Sequence, residues 1–209
     1  MSSARKRRRR PTAALTANRK QERLKRKRGE NGMNSEYISR EVERVREKYG
    51  ELSPERLAAE MNVMVAYEPM GAFEGCCKGF FVCFCRVKHI TVNSDLSEEL
   101  QRVILMHELG HAVLHGGEAA SAAFHDFAMF DSVDTREYEA NIFAADYLLQ
   151  DDEVLEALND ELSFFGAAAR LRVPPELLDF KFRLMKRRGV QLREPPMRSN
   201  GDFLKRYDA

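Results

Sequence analysis

Tryptophan is absent from the 209 residues, cysteine is limited to four, and proline to seven. No apolar run approaches a membrane span. Windows such as Val103 to Met106 are interrupted within a turn or two, whereas a bilayer needs about 20 apolar residues. The N-terminus is positively charged but no apolar stretch follows it, as a secretory signal would require. These absences predict a cytoplasmic chain that makes no membrane contact and keeps its cysteines reduced. What remains, 44% apolar and 32% charged residues with a mean hydropathy of −0.50, describes an ordinary globular protein of one domain, with room for a tail.

The formal net charge of +1 hides an uneven distribution. Residues 1–30 carry 13 Lys and Arg, unbroken from Arg5 to Arg10, against Glu22 and Glu30, a local net of +11. The rest of the chain holds 21 basic and 31 acidic residues, a net of −10. A block of like charges repels itself and buries nothing, so residues 1–33 are expected to form a disordered basic tail. Such a tail makes weak nucleic-acid contact through phosphates, or serves only solubility, or reflects a start misassigned upstream of Met33.

Helical periodicity begins after that tail. Tyr37, Ile38, Val42, Val45 and Tyr49 recur at helical spacing up to Gly50, and Ser53-Pro54 opens a short helix. Val63 to Tyr67, Phe80 to Arg86 and His89 to Asn93 read as strands, the last two joined by a turn near Val87-Lys88. A long helix follows, expected to start at Asp95 with Glu98 in capping position and to run to Gly116-Gly117. Its apolar residues cover most of its circumference, so it should lie deep in the domain. Asp134-Thr135 caps another helix through Leu149. Asp151, Ser163 and Pro174-Pro175 open shorter ones, and residues 189–209 read as an extended C-terminal tail.

His107-Glu108-Leu109-Gly110-His111 falls in the middle of the deep helix. Residues i and i+4 share a face, so both imidazoles can reach one Zn²⁺ at about 2.0–2.1 Å, with the Glu beside the first His placed to act on a water. Zinc lowers that water's pKa and polarises the scissile carbonyl, while Glu108 takes the proton and later returns it to the leaving amine. A catalytic zinc needs a third protein ligand. His115 lies about 12 Å from His107 along the axis, too far for one ligand sphere. It suits a supporting place at the helix C-terminus. His125 and the acids of Asp134 to Asn141 also come into question.

The two stretches His107-Glu-Leu-Gly-His-Ala-Val-Leu-His115 and Glu139-Ala-Asn-Ile-Phe-Ala-Ala-Asp-Tyr-Leu-Leu149, preceded by Ile90-Thr-Val-Asn93, resemble the ImmA/IrrE family of metallo-endopeptidases over roughly residues 35–150. The resemblance implies an α+β, zincin-like domain over residues 34–188, with a small three-stranded sheet packed on the central helix and further helices C-terminal. It implies one zinc per chain held by His107, His111 and a Glu of the second motif. Glu139 matches that ligand best and Glu137 is the alternative. These two point about 200° apart on a helix, so only one can serve.

Asn141 is a candidate for orienting a ligand, and Tyr138 for stabilising an oxyanion. The family implies cleavage of a specific protein, a repressor or antitoxin-like DNA-binding regulator, bound as an added strand along Ile90 to Asn93. The Met-Pro usual after the Leu-Leu pair is replaced here by Gln150-Asp151, which leaves the metal site intact but weakens any transfer of substrate from other members. The rival reading is a DNA-associated regulator that keeps the zinc fold without proteolysis.

Cys76, Cys77, Cys83 and Cys85 lie within ten residues, but none is spaced C-x-x-C. Cys83 and Cys85 read as small buried hydrophobes on one side of a strand. Residues 164–185 have a helix-turn-helix outline. Pro175-Glu176-Leu177 stands where a DNA reader wants Arg, Asn or Gln, which favours packing instead.

Overall fold

The computed structural model describes residues 35–73, 75–115, 133–159, 162–193, 195–201 and 204. The basic tail and His125 lie outside them. Helix α1 covers residues 35–49 and ends where Gly50 takes φ +83° and donates its N–H to the Arg46 carbonyl. Helix α2, Pro54–Glu60, starts as its sequence predicts, with Ser53 Oγ accepting from the Arg56 N–H.

Strands β1 (Val63–Glu68), β2 (Gly79–Phe84) and β3 (Val87–Asn93) form one sheet in the order β1-β3-β2. β1 runs parallel to β3, with Val65 opposite Ile90, and β2 runs antiparallel to β3, with Phe81 opposite Ile90. The stretch Ile90 to Asn93, expected to offer a free edge, is therefore the central strand, and both of its edges are already paired. The β2–β3 turn falls at Cys85 and Arg86, both with positive φ (49° and 66°), rather than at Val87-Lys88. Two successive left-handed residues match the strand twist, but neither is the Gly or Asn that announces such a turn. Cys85 is exposed in that turn and Cys83 is half-buried, so neither packs as a core hydrophobe. Cys76 is the buried thiol, with Lys78 Nζ 3.3 Å from its sulfur.

Helix α3, Glu98–Leu114, has Ser97 as its N-cap, which accepts from the Leu100 N–H, and His115 as its C-cap. Asp95, expected to cap it, instead accepts the Gly71 N–H at 2.6 Å. Ile104, Leu105, Met106 and Leu109 are fully buried because α3 lies between the sheet and α4, Val133–Leu148. α4 begins at Val133, so Asp134 stands inside the helix and not at its cap.

Helices α5 (Asp151–Asn159), α6 (Phe164–Arg170) and α7 (Pro175–Arg187) complete the core. α7 packs on α4, and its Leu177, Leu178, Phe180, Phe182, Leu184 and Met185 are buried. The second helix of the helix-turn-helix outline is thus a core element with no face to offer a DNA groove.

One polar cluster ties four of these helices together. Lys181, 1% exposed, places Nζ 2.9 Å from Asp146 Oδ1 and 2.6 Å from Asp151 Oδ1. Arg188 reaches Asp146 Oδ2 at 2.5 Å, Asp151 at 3.0 Å and Ser39 Oγ at 3.0 Å. The two cations and two anions balance, which is what makes the burial of Lys181 and Asp146 tolerable. Burial alone would raise the Asp146 carboxyl, but the Lys181 ammonium and then Arg188 outweigh it and hold the group below its ordinary 3.8.

The contribution of a carboxyl lowered on folding is fully present above 3.8 and is lost as pH falls through the lower folded value. Asp146→Asn is expected to cost about 3–5 kcal/mol at pH 7 by leaving the buried Lys181 ammonium under-compensated. It should also flatten the acid limb of stability between pH 5 and 2. Urea unfolding followed across that range checks both effects.

Candidate metal centre

Gly110 decides how closely α3 and α4 can approach. A Cβ there would stand 3.2 Å from Phe143 Cδ1 and 3.3 Å from both Cα and O of Ala140, tighter than packed atoms sit and against a backbone that cannot yield. The bare glycine lets the helices cross in contact just beyond His107, and α4 then brings its second turn to the two histidines.

His107 and His111 turn their Nε2 atoms toward each other at 3.1 Å. Glu137 completes the group, its two carboxylate oxygens 3.4 Å from His107 Nε2 and 3.6 Å from His111 Nε2. Among the described residues this is the one set of three or more His, Cys, Asp or Glu whose ligand atoms converge, all within 4.8 Å of one another. Ligands about 2.05 Å from one ion in tetrahedral array lie about 3.3 Å apart, close to the separation of the two imidazole nitrogens and of each from its nearer carboxylate oxygen.

Glu139, the acid expected as third ligand, points away from the pair and places its carboxylate 3.5 Å from His115 Nε2. Glu137 takes its place for a geometric reason. The expectation assumed that α4 has one inward side, the one shared with Ile142, Phe143 and Asp146. Every residue of α4 from Ala140 onward is buried, so burial does not separate its faces, and the face toward α3 is the one carrying Glu137 and Asn141. His115 holds the supporting place expected of it, at the end of α3 with its ring centroid 5.5 Å from that of His111.

Asn141 is wholly buried, and its Oδ1 lies 2.8 Å from His107 Nδ1. Tyr138, the oxyanion candidate, packs edge-on against Phe180 with ring centroids 5.5 Å apart, away from the histidines. Glu108 is 8% exposed and faces β2: a Cβ on Gly79 would sit 3.8 Å from its Cγ, and 2.6 Å from Ile104 Cγ2. Gly79 therefore lets β2 start against α3.

Sequence reasoning quoted Asn93 without a role for it. Its Nδ2 donates to the carbonyls of Gly71 and Cys77, both at 2.8 Å, and its Oδ1 accepts from the Met70 and Asp95 N–H groups. It thus pins the 70–77 connection and sets where β2 begins. An Asn closing the β-branched run Ile90-Thr91-Val92 was the available signal.

The electrostatics favour a cation. Burial, and then the neighbouring His107, hold His111 far below an ordinary imidazole, at about 3, so its ring is neutral at physiological pH. Burial works against a charge on His107 too, but Glu137, Glu108 and Asn141 outweigh it and raise the group. The carboxylates that stabilise a proton there stabilise a metal ion equally well.

A mixed sheet backed by a helix that carries two histidines and an acid, with a further carboxylate from the next helix, defines a metallopeptidase-like protein. The chain belongs to the ImmA/IrrE family: residues 58–183 match the model of the IrrE N-terminal-like domain, peptidase family M78. It is also 35% identical over 149 residues to a protein of Bacillus phage phi105 described as "Uncharacterized immunity region protein 2", a match covering 69% of this chain and 88% of that protein. No helix among the described residues is long and apolar enough to cross a membrane.

Gly110→Ala gains helix propensity but forces a methyl into the crossing, so a net loss of about 1–3 kcal/mol is expected. Because the crossing also seats Glu137, zinc binding should weaken in the same variant. Thermal unfolding and a zinc titration on one preparation test the pair, and a Tm that rises with unchanged zinc binding would contradict the role assigned to the crossing.

Proposed function

We propose that this chain is a zinc-dependent endopeptidase that hydrolyses a peptide bond in one specific protein. His107, His111 and Glu137 hold one zinc, and Glu108 is the general base. The observation that carries the reading is the convergence of three ligand atoms from two helices, with the acid of the same helix motif beside them and next to the start of β2. Bound there, zinc would polarise the scissile carbonyl and bring the pKa of the attacking water toward about 7.

The chain's own groups do the rest. Asn141 Oδ1 accepts the Nδ1 hydrogen of His107 and leaves Nε2 as the ligand atom. Glu108 accepts the proton of the attacking water and returns it to the leaving nitrogen, a role its low exposure and lateral position on α3 permit.

β2 takes over the substrate role first assigned to Ile90 to Asn93. It is an outer strand of the sheet, antiparallel to β3, and it begins at Gly79 against Glu108. An extended peptide pairing with its outer edge, on which no strand lies among the described residues, would run past the general base. The substrate class rests on the family and on the phage relative, described as an immunity region protein. A DNA-binding repressor or antitoxin-like regulator fits both.

Glu108→Gln tests the reading. The variant should keep about one zinc per chain and lose activity by about 10²–10⁴-fold. The measurement is mass-spectrometric comparison of cleaved proteins in cells producing wild type or variant. The same cleavage products from both, or none from cells producing a zinc-loaded wild type, would count against the proposal.

A further inference from the structure

The C-terminal segment, expected to be an extended tail, turns back over α7, and the contacts that hold it lead to the metal centre. Ser199 donates its backbone N–H to the buried Asp179 carboxylate at 2.8 Å. Arg183, paired with the same carboxylate, donates to the Ser199 carbonyl at 2.6 Å. Leu204 is buried in the core. Between these anchors the Gly201 carbonyl accepts from Asn141 Nδ2 at 2.5 Å, and the other end of that amide meets His107.

One end of this relay dictates the other. A backbone carbonyl only accepts, so Asn141 must turn its NH₂ to Gly201 and its Oδ1 to the imidazole. The amide oxygen also only accepts, so His107 must carry its hydrogen on Nδ1, which leaves the Nε2 lone pair facing His111 and Glu137. With Gly201 removed, nothing in the relay prevents the flipped amide. A flipped NH₂ would demand a lone pair at Nδ1 and move the hydrogen to Nε2, where a metal must bind.

We infer that Ser199 to Gly201, held by Asp179 and Arg183, form a strap whose Gly201 carbonyl sets the Asn141 amide and, through it, the tautomer of His107. Asn141 and the strap are positioning elements. The family match ends at residue 183, so the strap comes from outside the matched domain. The inference rests on the reading that His107, His111 and Glu137 hold a metal.

The test compares wild type, a chain truncated after Pro196, Asn141→Ala, and the last two combined. Zinc affinity is read by competition with a chromophoric chelator, and the His107 tautomer from ¹⁵N shifts of the metal-free protein. Truncation and Asn141→Ala should each weaken zinc roughly 10–100-fold, and the combination no more than either alone, because both break one relay. The truncated chain should lose its fixed Nδ1–H tautomer, and a synthetic 197–209 peptide should restore both tautomer and affinity.

If the truncated chain does not fold, full-length Leu204→Ala loosens the strap without touching Asn141 and should show the same losses, smaller but still non-additive with Asn141→Ala. Truncation that leaves affinity within about twofold while Asn141→Ala weakens it, or losses that multiply, overturns the strap and spares the metal site. A wild-type chain that takes up no zinc overturns the metal reading and the strap with it.

Discussion

Gly110 presses bare backbone against Ala140 and Phe143, and the geometry of the candidate site descends from that contact. α3 is long and buried on nearly all sides, so its two histidines are fixed by packing before any ligand is considered. What those histidines face depends on how close α4 lies and in which rotation. A wider crossing would draw Glu137, now 3.4 Å from one imidazole nitrogen and 3.6 Å from the other, away from both.

Around the crossing, polar groups are placed with their partners. Asn141 holds the far nitrogen of His107 and is itself held by Gly201. Asn93 closes the connection that delivers β2 to Glu108. Lys181, Arg188, Asp146 and Asp151 lock α4 to α1, α5 and α7 further along the helix from Glu137. These are three separate ways of spending buried polar groups to specify orientation, which apolar packing alone does poorly. The consequence for function is that α4 cannot rotate, and so Glu137 and Glu139 cannot exchange roles, without breaking a charged network.

Much of this was legible in the sequence because the signals are local. Ser53-Pro54 and Ser163 cap helices as they read, and the H-E-x-x-H spacing falls on a helix whose apolar circumference announces its depth. What could not be read is what depends on partners far along the chain. Local alternation does not reveal that β1 pairs in parallel with β3, so β3 was taken for an edge. The choice between Glu137 and Glu139 turns on the rotation of a helix buried all round, where periodicity carries no information. The docking of Ser199 and Gly201 depends on Asp179 and Arg183 in a helix that reads as plain packing. The turn at Cys85-Arg86 escaped because its conformation is carried by residues that do not prefer it.

The account stands on which acid completes the metal centre, and metal content decides it most directly. Wild type, Glu137→Ala and Glu139→Ala, purified without chelator and measured by elemental mass spectrometry, should give about one zinc, little or none, and about one. Zinc retained in Glu137→Ala and lost in Glu139→Ala would contradict the site described, and with it the crossing at Gly110 as the element that builds it.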